Sequence, residues 1–256
     1  MIPCICPLCK TLDAPYFYKS STLQRYEQRE ITEIRCDKSL ENVSIAELTS
    51  DIIKKNLNGE KTIVCENKNA ELLNSLGLDK ILFFGERDSA SVYVKIVTKP
   101  EFYGLRDKDF LLETEVQKIQ NKYPNYFILE YYCIENYLYH PDNISNFLGD
   151  SFNKDDYRNE IVKQKNEGKN IIISNFKNSR KTYQEFKLPQ DKFEDKANEN
   201  LIMEYLESDD IEVFFKAFSM KDHFNKDSIN KYNLRASELA NTAWFKQKLE
   251  VILKLN

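Results

Sequence analysis

The residues of this chain that could do chemistry are acids, and they gather after three apolar runs. Glu66-Asn67-Lys68 follows Thr62–Cys65, Gly85-Glu86-Arg87-Asp88-Ser89 follows Ile81–Phe84, and Arg106-Asp107-Lys108-Asp109 follows Phe102–Leu105. The Asp107-x-Asp109 pair carries the most weight, because residues two apart in extended backbone point to one side and can share a pocket. Mg²⁺ takes hard oxygen ligands, commonly one or two carboxylates completed by waters and substrate phosphate. An ion held this way (Mg²⁺, or Mn²⁺ in its place) polarises a phosphoryl oxygen and lowers the pKa of a bound water. Glu66 could complete the coordination or act as general base. In a chain with 30% charged residues a lone D-x-D is ordinarily a solvated turn. Its position after an apolar run, with acids after two earlier runs, favours a site.

A second constellation is made of sulfur. Cys4, Cys6 and Cys9 crowd together and Cys36 follows, which supplies four thiolates, enough for a tetrahedral Zn²⁺ ion. The spacing is less regular than paired C-x2-C knuckles, and the alternative is a small β module with partly buried thiols. Cys65 and Cys133 stand alone in apolar runs and read as small buried hydrophobes. Lys68 and Lys108 flank the acids and could hold phosphate oxygens, or be ordinary surface lysines.

The elements that must position these groups alternate in type. Thr62–Cys65, Ile81–Phe84, Phe102–Leu105 and Tyr126–Ile134 read as strands. Between them Asn69–Leu76, Ala90–Val97 and Leu111–Lys122 read as helices, closed by Gly77, Pro100 and Pro124. Strands separated by about ten helical residues predict βαβ units and a mostly parallel sheet flanked by helices, an α/β fold. In such sheets ligands sit beyond the carboxyl ends of the strands, where these acids lie.

Residues 1–57 read as a separate cysteine-rich β module, ending in a helix over Val43–Ile53 with Ser44 and Glu47 as a capping box. The turn at Asn58-Gly59 separates it from a second domain over 58–256. Ile171–Ser174 reads as a further strand, and Lys177–Glu199 as a polar loop. Residues from Asn200 onward read as helical, with Leu239, Ala243, Trp244 and Ile252 on one stripe.

Thr62-Ile63-Val64-Cys65-Glu66-Asn67-Lys68-Asn69 resembles the opening of the Toprim domain, a hydrophobic strand ending in Glu-Gly-Lys-x-Asp. Phe102-Tyr103-Gly104-Leu105-Arg106-Asp107-Lys108-Asp109 resembles its strand ending in Asp-x-Asp. The tyrosine-rich run Phe127–Leu138, with Glu135-Asn136, looks like a segment of the Toprim effectors of bacterial antiphage systems of the PARIS and OLD-like type. Thr242-Ala243-Trp244-Phe245-Lys246 is similar to that group's final helix, so the resemblance covers about residues 61–256.

The resemblance implies metal-dependent cleavage of nucleic acid, DNA or RNA such as tRNA, in antiphage defence. An ATPase or NTPase sensor protein and a second copy of the chain are the protein partners it implies. It carries Glu66 over as base or ligand, Asp107 and Asp109 as metal ligands, Glu135 as a nearby acid, and Ser89 as a phosphate-facing residue, although Ser89 could equally cap the second helix.

The first motif departs from the family, with Asn67 for Gly and Asn69 for an acid. Glu86 is a second candidate for the motif acid, but choosing it leaves one helix before Asp107 where the family has two βα units. This degeneracy opens a rival reading, an inactive Toprim-like regulatory or nucleic-acid-binding subunit. The cysteine run, with Pro15-Tyr16-Phe17-Tyr18 and Ile34-Arg35-Cys36-Asp37, resembles a small module of NTPase-linked effectors.

Composition bounds these readings without choosing among them. The chain has 256 residues, 15 Tyr and 16 Phe against six Gly, which predicts long regular elements. No apolar run approaches the ~18 residues of a membrane span and no leader is visible, so a cytoplasmic location is expected and no membrane partner. The net charge of −4 does not advertise a nucleic-acid partner, so any phosphate contact must be local.

Overall fold

The computed structural model describes residues 61–78, 81–186 and 199–255. The cysteine-rich module, including Cys4, Cys6, Cys9, Cys36 and the 43–53 helix, lies outside the described residues. Within them the expected α/β architecture is present. Strands β1 (Lys61–Glu66), β2 (Ile81–Glu86), β3 (Tyr103–Arg106) and β4 (Tyr126–Ile128) form one parallel sheet in the order β2-β1-β3-β4. Helices α1 (Asn67–Asn74), α2 (Ser89–Thr98) and α3 (Glu113–Lys122) make the crossovers.

Burial explains why the strands read so clearly. Residues 62–65 of β1 are all buried, as expected of a central strand covered on both faces. Gly104 lets α2 lie close to β3, since a Cβ there would come within 2.6 Å of Ile96 and 2.7 Å of Tyr126. The Asn74 amide clips both the N–H and the carbonyl of Phe83, fixing α1 to β2. Glu66 of β1 stands level with Glu86 of β2. With β3 on the other side of β1, the acids after β1 and β3 belong to adjacent strands, and β2 is one place further out.

Several expected elements are different. The fourth strand stops at Ile128 and not at Ile134, because the Tyr137 hydroxyl accepts from the N–H groups of Glu130 and Tyr131 and turns the chain. A short helix, α4 (Ile134–Leu138), follows, then α5 (Pro141–Leu148). Ile171–Ser174 is not a strand. It lies inside the 26-residue helix α6 (Lys154–Ser179), where Tyr157, Ile161, Lys165, Ile172 and Phe176 are buried at helical spacing. Ile172 is fully buried while Ile171 is 63% exposed, so helix packing overrides a β-branched run.

The predicted loop after Lys177 is, as far as Phe186, the end of α6 and two 3₁₀ turns, Arg180–Thr182 and Gln184–Phe186. Further on come α7 (Glu199–Glu207), α8 (Ile211–Phe214), α9 (Asp227–Asn230), α10 (Ala236–Ala240) and α11 (Ala243–Leu253). The final helix buries Phe245, Leu249 and Leu253, so its core stripe is offset from the expected one through Ala243, Trp244 and Ile252.

Candidate metal centre

Asp107 leaves the end of β3 and is buried, with 5% exposure. Its Oδ1 accepts from the Asn69 side chain at 3.2 Å. A neutral amide thus donates to Asp107 where an acid at position 69 would repel it. Burial pushes the Asp107 carboxyl well above the ordinary range, and the charges of Asp109, Glu66 and Glu135 push it further, with Lys221 opposing. Glu66 is likewise raised, by burial and then by Asp109, against Lys221 and Arg106. Asp109 is raised by burial, with Arg106 as the main opposing charge. Glu66, Asp107, Asp109 and Glu135 therefore share one electrostatic neighbourhood at the ends of β1 and β3.

Arg106 ties this neighbourhood to the long-range fold. Its side chain is 1% exposed and divides between Asp109 Oδ2 at 2.9 Å and Glu185, with Nε donating to the Asp107 carbonyl at 2.9 Å. Its guanidinium lies over the Tyr183 ring, 5.1 Å from the centroid. Asp109 sits at φ +49°, the left-handed region that Asp tolerates better than most residues. Its N–H donates to the Tyr132 carbonyl at 2.8 Å, which anchors the turn to the chain after β4.

The Glu135-Asn136 pair divides its labour. Glu135 contributes negative charge toward Asp107. Asn136 is fully buried and clamps the 215–220 segment, donating to Phe218 O at 2.7 Å and accepting from Met220 N at 3.2 Å. That clamp delivers Lys221 to the acids. Burial alone would lower the Lys221 pKa, but Glu135 and Asp107 outweigh it and raise it.

Other expected residues lie elsewhere. Glu86, the second candidate for the motif acid, is paired with Lys95 at 3.1 Å. Lys68 is exposed on α1. Lys108 is not a surface phosphate donor: it is 1% exposed, donates to Lys216 O at 3.3 Å and lies 3.7 Å from Glu113. Burial lowers its pKa to about 8. Ser89 is not the helix cap. Asp88 caps α2, accepting from Ser91 N at 2.8 Å, and Ser89 is the first helical residue. Cys65 and Cys133 are buried free thiols, as expected, with their pKa values raised by burial.

Sequence reasoning missed Arg106, Glu185 and Lys221. Arg106 carried a local signal, a cation directly before the D-x-D. Glu185 and Lys221 carried none, being 79 and about 115 residues from the strand end they serve.

The donor chemistry fits a hard divalent cation, since carboxylate oxygens with too few cations around them are what Mg²⁺ or Mn²⁺ would neutralise. Among the described residues, however, no three His, Cys, Asp or Glu side chains are gathered around one point as a metal group. Two carboxylates, waters and substrate phosphate are a sufficient set for Mg²⁺. No helix among the described residues is long and apolar enough to cross a membrane. No protein-family model, curated protein or solved structure matches the chain.

Proposed function

We propose that the chain is a Mg²⁺- or Mn²⁺-dependent endonuclease of the Toprim type, cleaving RNA such as tRNA, or DNA, as an effector of antiphage defence beside an ATPase sensor. The observation that supports it most is the unbalanced negative charge of Glu66, Asp107 and Asp109 at the carboxyl ends of the adjacent strands β1 and β3. In this reading Asp107 holds the ion, and Asp109 joins it with the oxygen that Arg106 leaves free. A bound ion supplies charge to a phosphoryl oxygen and acidity to a water.

The chain's own groups do the rest. Asn69 orients Asp107 and Arg106 orients Asp109, and the charge of Lys221, felt by Asp107 and Glu135, would draw phosphate toward the acids. Glu66, its affinity for a proton already raised, suits the role of general base. A structural Zn²⁺ on Cys4, Cys6, Cys9 and Cys36 belongs to the same proposal, and elemental analysis of the reduced chain tests it. The experiment for the nuclease is cleavage of RNA and DNA by the purified chain with Mg²⁺, Mn²⁺ or EDTA, alongside Asp107→Asn. Metal-dependent cutting that the variant lacks supports the reading.

One observation favours the inactive-subunit reading. Asp109 is already paired with Arg106, and no ready-made trio of ligands surrounds one point among the described residues. Binding of nucleic acid without cleavage under every metal would select it.

A further inference from the structure

A cavity of about 400 Å³ opens beside Asp109, between the turn that starts α2 and the 3₁₀ turns after α6. That volume lies within the ~300–1,000 Å³ range of small-ligand pockets. Its charged lining is one-sided. Asp88, Asp109 and Glu185 line it, and no Lys, Arg or His does so among the described residues. The cations beside it are already paired, Arg106 with Glu185 and Asp109, and Arg87 with Asp88 at 2.8 Å. An anion would meet three acids whose cations are already taken, so this is not a phosphate subsite.

The remaining wall is neutral and hydrogen-bonding, with Ser89, Ser179, Thr182 and Gln184, and the buried Tyr132 and Tyr183 beside them. Such a wall suits a flat, uncharged group that offers N–H donors to carboxylates and a π face to aromatic rings.

We propose that this cavity seats an unpaired nucleobase of the strand being cut, one carrying amino or imino donors, so that the substrate is single-stranded or locally unpaired next to the cleaved phosphate. The proposal rests on the nuclease reading above for the identity of the strand. The cavity borders Asp109, so the phosphate attached to a base seated there lies on the side of the acids. A base held in a duplex has its donor edge occupied by its partner and cannot enter without unpairing.

The test uses the full chain without metal and titrates it with guanosine, cytidine and inorganic phosphate, read by saturation-transfer NMR. The nucleosides should bind and inorganic phosphate should not. Thr182→Trp, at an exposed position on the rim, and Ala90→Trp, at the opposite wall, should each weaken nucleoside binding by about tenfold or more. Unfolding midpoints near that of the parent show that the plugs have not simply broken the fold. With metal, a hairpin should be cut in its loop and not in its stem, and Thr182→Trp should slow that cutting.

Failure to bind either nucleoside, or binding that ignores both plugs, overturns the pocket even if metal-dependent cutting is present. Equal cutting of stem and loop overturns it too. Plug-sensitive nucleoside binding in a chain that cuts nothing keeps the pocket and removes the nuclease reading.

Discussion

Two buried arginines hold this fold together and keep very different company. Arg180 makes a closed, bidentate pair with Glu115, at 2.5 and 2.8 Å, and gives a further hydrogen bond to the Phe110 carbonyl at 2.8 Å. Arg106, joined to it through Tyr183 and Phe110, divides one guanidinium between Glu185 and Asp109 while Asp107, Glu66 and Glu135 crowd nearby. The first arrangement balances its charge. The second leaves negative charge over, which costs stability unless something positive arrives. That difference separates a structural ion pair from a candidate site more sharply than burial does, since both arginines are almost wholly inaccessible.

The balanced pair should break hardest. Glu115→Gln leaves Arg180 buried with its charge uncompensated, and should cost ~3–5 kcal/mol in urea unfolding. Replacing both partners, Arg180→Met with Glu115→Leu, should restore much of that loss. A Glu115→Gln chain as stable as the parent would mean that the pair is not the closed unit described.

The unbalanced region should respond in the opposite sense. Asp107→Asn removes a repelled, buried charge, so the metal-free chain should become more stable while cleavage falls at least about a hundredfold. The pH dependence follows from the sign of the shift. The folded Asp107 pKa is raised above its ordinary value of 3.8, so the folded state binds more protons than the unfolded one. Stability in EDTA should therefore be greatest at or below the ordinary value and fall as pH rises through the raised one. Asp107→Asn should flatten that slope, and an unchanged slope would count against the electrostatic account.

The contrast also explains what was readable from sequence. The sheet was legible because apolar runs, turn residues and strand-end acids are local signals, and Asp107, Asp109 and Glu66 emerged with them. The role of Asn69 needed a partner 38 residues away. Arg180 and Glu185 sit in a polar run that reads as loop, yet both are buried because their partners on α3 and β3 neutralise them. Lys108 misled in the other direction: next to acids it reads as a phosphate donor, and it is buried toward Glu113. Charge alone does not tell whether a side chain faces water, and the partner that decides it is distant in sequence.

Smaller effects should refine the boundary of the site. Lys221→Met removes its rim cation and should raise KM for nucleic acid more than it lowers kcat, as expected of a group that attracts phosphate in ground and transition states alike. Glu66→Gln should lower kcat by about a hundredfold, the scale of losing a general base. Glu86→Gln, which only loosens a pair with Lys95, should leave kcat close to that of the parent. A severe kcat loss for Glu86→Gln beside a mild one for Glu66→Gln would move the site to the end of β2.

On the proposed function, the surplus charge after β1 and β3 holds a divalent cation. Titration of the metal-free chain with Mn²⁺, followed by the loss of its free-ion electron paramagnetic resonance signal, measures this directly. The account predicts that the parent binds Mn²⁺, that Mg²⁺ displaces it, and that Asp107→Asn abolishes the binding. A parent that leaves the free-ion signal untouched, or an Asp107→Asn chain that binds Mn²⁺ as the parent does, would contradict it.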